Sequence, residues 1–383
     1  MNRLLLGAVL VVSCTTLLYS CLTQQEEIVK EGPLKLKKVI NAPGKYAYRA
    51  FYRGSLGNTI EVFDLETKEP IGTIVPDEQR MIATLAMSPS QPRGLITLFE
   101  IPGNVYLFDL HNNSWRKTTI QRNPMGVAVF MPNEDLAWIG VVGNPEVLEV
   151  DANSGNVIAR VNLSTHFEKP FPHIALSRDG GYLAVLGYSP EPDNYFGDVS
   201  VVILNVRTRS VRSVVPLSGV PGHPVFSPDG HLLCIQDFSK GNILLVDIQE
   251  RKSTVIPLAT DSLIKPQFAI FNIAVHPTRD ILVASLVGPT GESRGPLNIL
   301  AVFDLQDKKM KTAIRIGVKV SQLCYQPDGK ILYAATPDGI AALDGDTFAV
   351  LYEIKSNLLT TSLGEGSNPA DNLPGKLVVQ EVR

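Results

Sequence analysis

Two histidines, His173 after Pro172 and His223 after Gly222, open apolar stretches of the same pattern. Imidazole titrates near neutral pH, ligates metals and moves protons. A pair in register, joined by a carboxylate such as Glu191 or Asp198, has the chemistry of a metal site or an acid–base couple. Aligning the turns that follow places Thr84, Val127, Asn272 and Gln322 at the equivalent position elsewhere. His173, His223, Asn272 and Gln322 are therefore the candidates for a small-molecule site at one mouth of a central channel. No catalytic residue and no metal is expected. The chain has no CxxC, CxxCH or HExxH spacing, and Gly364-Glu365-Gly366-Ser367 is not a nucleophile elbow. Cys234 and Cys324 lie inside apolar runs and read as buried free thiols.

A second set of reactive side chains recurs seven times. Asp64, Asp109, Asp151, Asn205, Asp247, Asp304 and Asp344 each end a short apolar run, as in Val302-Phe303-Asp304-Leu305, at spacings of 40 to 57 residues. A carboxylate there can accept from N–H groups two or three residues on. Asn205 serves at one position without a charge, which argues for a turn and against catalysis or metal binding.

These turns presuppose strands. Around Asp247 the chain reads Pro224–Phe226, the turn Ser227-Pro228-Asp229-Gly230, His231–Ile235, the turn Lys240-Gly241-Asn242, Ile243–Val246, and Ser253–Pro257. Short apolar runs bounded by Gly, Pro, Asn and Asp are strands. The unit is thus four strands, A to D. Seven such units in 383 residues predict an all-β fold, a seven-bladed β-propeller of four-stranded blades around a channel. The first repeat begins at strand B, Lys45–Phe51, so a strand from a chain terminus must close the ring; Leu377–Val382 and Leu34–Ile40 are the two candidates.

This repeat, with strand C ending in Asp and strand A closing on Ser-Pro-Asp-Gly, resembles the YVTN-repeat β-propellers, a group related to lactonase-like and amine-dehydrogenase-like propellers. The resemblance spans residues 45 to 355. It implies the seven-bladed fold and, as one alternative activity, a lactonase-like hydrolase at the channel mouth near His173 and His223. In related propellers a histidine before strand A hydrogen-bonds loop backbone. Trp115 and Trp138 are too few for quinone docking, and six histidines too few for a many-His copper site, so no cofactor is expected.

The N-terminus differs in kind. Met1-Asn2-Arg3 precedes an uncharged stretch, Leu4–Leu18, too short to span a bilayer, which reads as an export signal over residues 1–20. Leu18-Tyr19-Ser20-Cys21 resembles a bacterial lipobox and makes Cys21 the first choice for lipidation. Cys14 is the second choice, and a plain cleaved signal and an uncleaved anchor are the other readings. A polar tether over 21–33 and a propeller over 34–383 follow. The expected location is the periplasm or cell surface, membrane-anchored.

Loop length points to function. Strands alternate in direction, so the D–A and B–C connections share one face and the A–B and C–D turns the other. The long connections, 164–172, 187–198, 259–270 and 287–298, all fall on the first face. They bring His166, Phe167, Tyr195, Phe196, Lys265, Phe268 and Arg294, a mixture of aromatic and charged groups suited to a protein, peptide or glycan partner. A net charge of −3 with intermixed signs gives no footprint for nucleic acid, and the propeller is expected to be a monomer.

Overall fold

The computed structural model describes residues 31–33, 35–36, 40, 43–51, 59–75, 82–89, 91–98, 103–122, 125–192, 194–238, 240–259, 261–288, 296–358 and 374–382. Residues 1–20, expected to be an export signal and including Cys14, lie outside them, as does Cys21. The described chain is all β and forms seven antiparallel sheets, each with the strand order A-B-C-D. The inner strands touch their neighbours in a closed cycle, so the sheets are blades of a seven-bladed propeller. Apolar residues from facing sheets fill each interface. Trp138, for example, is fully buried among Val147, Ile174, Val185 and Val202 of blades 3 and 4.

The C–D corners are built alike. Asp304 Oδ1 accepts the N–H groups of Gln306 and Asp307, both at 3.0 Å, and the other five aspartates do the same two and three residues on. Asn205 accepts from Thr208 at 3.0 Å. The residue four after each corner has positive φ: Lys68, Asn113, Arg209, Arg251, Lys308, Phe348 and, in blade 3, Gly155 at 75°. The A–B turns of blades 4 and 5 share a second lock, in which Ser227 Oγ donates to Asp229 Oδ1 at 2.6 Å and Gly230 takes φ 73°.

The ring is closed by the C-terminus. Pro374–Val382 is strand A of blade 1 and pairs antiparallel with Gly44–Phe51. The N-terminal segment instead adds a fifth, outer strand to two blades: Glu31–Pro33 pairs with strand D of blade 2 and Lys35–Leu36 with strand D of blade 1. Described residues 31–33, read from sequence as tether, are thus part of the sheet structure.

Blade 1 is bonded to both neighbours. Arg49 and Glu61, both fully buried, form a 2.6 Å ion pair. Arg49 Nη1 donates to the carbonyls of Thr336 and Gly339 in blade 7, and Ser356 Oγ donates to Glu61 Oε1. On the other side Gln380 Nε2 donates to the carbonyls of Ser88 and Gln91 in blade 2, while Tyr48 donates to Gln380 Oε1.

Candidate functional site

Strand pairing fixes the inner ring. Leu85↔Ile96, Ala128↔Ile139, Ile174↔Val185, Pro224↔Ile235, Ile273↔Ala284 and Leu323↔Ala334 are equivalent pairs, so Thr84, Val127, His173, His223, Asn272 and Gln322, one residue earlier, share one level. In blade 1 the equivalent pair is Leu377↔Arg49, which makes Lys376 the seventh member. The sequence placed six of these. Lys376 was hidden because the register of the closing strand depends on a long preceding stretch without repeat signals.

His173 and His223, on adjacent blades, are in ring contact, with centroids 4.2 Å apart and planes at 54°. Both are half-buried. His173 Nδ1 has no hydrogen-bond partner. Burial, and then the Lys376 ammonium, bring the His173 pKa down to about 4. Burial also pushes His223 well below the usual value, followed by His173 and Lys376. The pair is neutral at physiological pH.

Apart from Lys376, the remaining members of the ring are neutral. Asn272 Oδ1 accepts the Leu323 N–H of blade 7 at 2.9 Å, so it braces the next blade. Gln322 and Thr84 are buried, and Val127 is apolar. Burial lowers the pKa of Lys376, and Cys324 of blade 7 acts against that shift. Cys324 is a free, half-buried thiol whose pKa is raised by burial; the Val379 N–H and Lys376 oppose the rise. Cys234 is free and buried. Among the described residues no three His, Cys, Asp or Glu are grouped to hold a metal.

The two faces differ sharply. On one, every A–B connection has five residues and every C–D connection four or five. On the other, the connections vary; twelve residues separate Ile256 from Ala269. The 187–198 insertion is a β-hairpin rather than a loop: strands B and C of blade 4 continue past the sheet, pairing Tyr188↔Val199, Ser189↔Asp198 and Glu191↔Asn194.

The aromatic candidates fare differently. Phe167 is buried, 2% exposed, within the interface of blades 3 and 4, and so is unavailable to a partner. Its ring lies over Gly187, where a Cβ would collide with it. Phe268 is half-buried against the core of blades 5 and 6, His166 is half-buried, and Lys265 is exposed. Tyr195 and Phe196 lie on strand C of the hairpin, with side chains outside the described residues, as is Arg294 entirely. Sequence reasoning missed Phe238. It is 52% exposed in the B–C connection of blade 5, its ring packed over Gly222 beside His223. The glycine before His223 was the available signal, since a Cβ there would meet the Phe238 ring at 2.6 Å.

The arrangement defines a class: a seven-bladed propeller with a polar inner ring and one variable face. No protein-family model matches the sequence, and a search of curated proteins finds no similar chain. Among solved structures the chain is similar to hydrazine synthase from Kuenenia stuttgartiensis, with a TM-score of 0.61 and 14% identity, over 78% of this chain and 92% of that one. At that identity the likeness is one of fold.

Proposed function

We propose that this protein is an exported, lipid-anchored propeller of the YVTN-repeat, lactonase-like group that holds a protein, peptide or glycan partner on its variable face. One observation carries the reading: connection lengths vary widely on one face, while on the opposite face they differ by at most one residue. Varied connections on a rigid scaffold are where binding residues gather. The projecting hairpin, exposed Lys265 and half-exposed Phe238 supply the mixed aromatic and charged surface that partners use. The test is capture of the natural partner by the full chain. Phe238→Ala with Tyr195→Ala and Phe196→Ala should abolish capture with little change in melting temperature. Lys330→Ala, in a turn on the uniform face, should leave it intact. Equal capture by all variants refutes the assignment.

The contact between His173 and His223 favours a second reading, a small-molecule enzyme at the channel mouth. A lactone screen of the wild type against His173→Ala and His223→Ala decides it: turnover lost in both variants supports it, and no turnover by the wild type excludes lactone hydrolysis.

A further inference from the structure

We propose that the central channel binds a small anion, a carboxylate or an oxyanion, between the Lys376 side chain of blade 1 and the paired imidazoles of His173 and His223. The three residues occupy equivalent positions on their inner strands, so they stand at one level of the channel. In a ring of seven, blades 4 and 5 are the two opposite blade 1. The ammonium and the imidazoles therefore face each other across the axis.

Charge balance at this level is one-sided. Among the described residues Lys376 forms no ion pair, and the groups interacting with it electrostatically are Cys324 and the two histidines. No carboxylate among the described residues acts on His173 or His223; what they feel besides burial is Lys376 and, for His223, its partner ring. The other ring members, Thr84, Val127, Asn272 and Gln322, carry no charge. A half-buried ammonium without a counter-charge carries part of the cost of burying a charge, and a small anion from solution offsets it. A cation is disfavoured for the same reason.

Neutral imidazoles suit the second half of the site. Each carries one N–H donor and one acceptor nitrogen. An anion accepts from the N–H of either tautomer and from the ammonium, giving charge-assisted bonds. Occupancy would also reverse the electrostatics: negative charge beside the rings favours their protonated forms, opposing burial and Lys376. The proposal is independent of partner capture on the variable face, because its residues lie inside the ring.

The test is calorimetric titration of the purified full chain at pH 7 and constant ionic strength with formate, acetate, phosphate and sulfate. One class, carboxylate or oxyanion, should saturate a single site, and which one does so names the source. Affinity should fall by about ten- to a hundredfold in Lys376→Met, the range of a hydrogen bond to a charged group. It should be unchanged in Lys252→Met, an exposed lysine on an outer strand. Saturable binding by none of the four, or equal binding by Lys376→Met, overturns the site. An NMR titration of the wild-type histidines gives a reading that needs no variant. A saturating anion should raise the pKa of both His173 and His223; values unmoved by it overturn the proposal.

Discussion

Removing Glu61 tests how the ring is held shut. Its carboxylate faces the Arg49 guanidinium at 2.6 Å, and both side chains are at most 2% exposed. Glu61→Ala leaves a buried cation bonded to two carbonyls but without its counter-charge, and leaves Ser356 Oγ without its acceptor. Breaking a buried pair in this way costs about 3–5 kcal/mol. Against a typical total of about 5–15 kcal/mol, that is a large fraction of the stability of the fold. Burial and pairing separate in a cycle. Arg49→Met with Glu61→Leu removes both charges and refills the volume, so the double variant should be more stable than Glu61→Ala by about 2 kcal/mol or more. Urea unfolding followed by the fluorescence of fully buried Trp138 reads the difference. A loss below about 1 kcal/mol in Glu61→Ala, or a double variant as unstable as the sum of its singles, refutes the argument that this pair secures blade 1 to blade 7.

Lowered histidine pKa values make stability depend on pH in a defined direction. His173, near 4 when folded against an ordinary 6.5, and His223, also held well below its ordinary value by burial, take up protons more readily in the unfolded chain, so their contribution is complete above about pH 6.5 and declines as pH falls toward 4. His173→Gln with His223→Gln should flatten the melting-temperature profile across that window, and an unchanged slope contradicts it. Gly155→Ala should cost about 1–2 kcal/mol, because φ is 75° and the new Cβ would stand 2.7 Å from Thr118 Cγ2; Lys308→Ala, already a side-chain residue at positive φ, should be close to neutral by the same thermal melts. Cys21→Ala should release the protein from membranes into the soluble fraction. Retention of labelled fatty acid in that variant, with loss in Cys14→Ala, would move the anchor to Cys14.

What the sequence revealed and what it concealed follow from the range of the interactions. The corner aspartates were legible because the whole device is local: Asp304 bonds to N–H groups two and three residues away, so the pattern repeats in the chain as it does in space. Blade number came with it, and the ring of Thr84, Val127, His173, His223, Asn272 and Gln322 followed by counting from local turns. Lys376 and the Arg49–Glu61 pair were not legible, since each takes its meaning from a partner nearly a whole chain away. Arg49 meets Thr336 and Gly339, 287 and 290 residues on, and within strand B it reads only as a charge in an apolar run. Phe167 shows the converse. Its neighbours Glu168 and Lys169 are exposed, and local composition alone put it on the surface, whereas Gly187 of the next blade leaves the space its ring fills. The same logic bears on the channel. A propeller brings seven distant segments to one level, so a site there is assembled from residues that share no motif, and charge balance across the ring is a better guide to it than any spacing along the chain. Lys376 opposite His173 and His223 is such a case, because each of the three is unremarkable in its own blade and they come to one level only when the ring is closed.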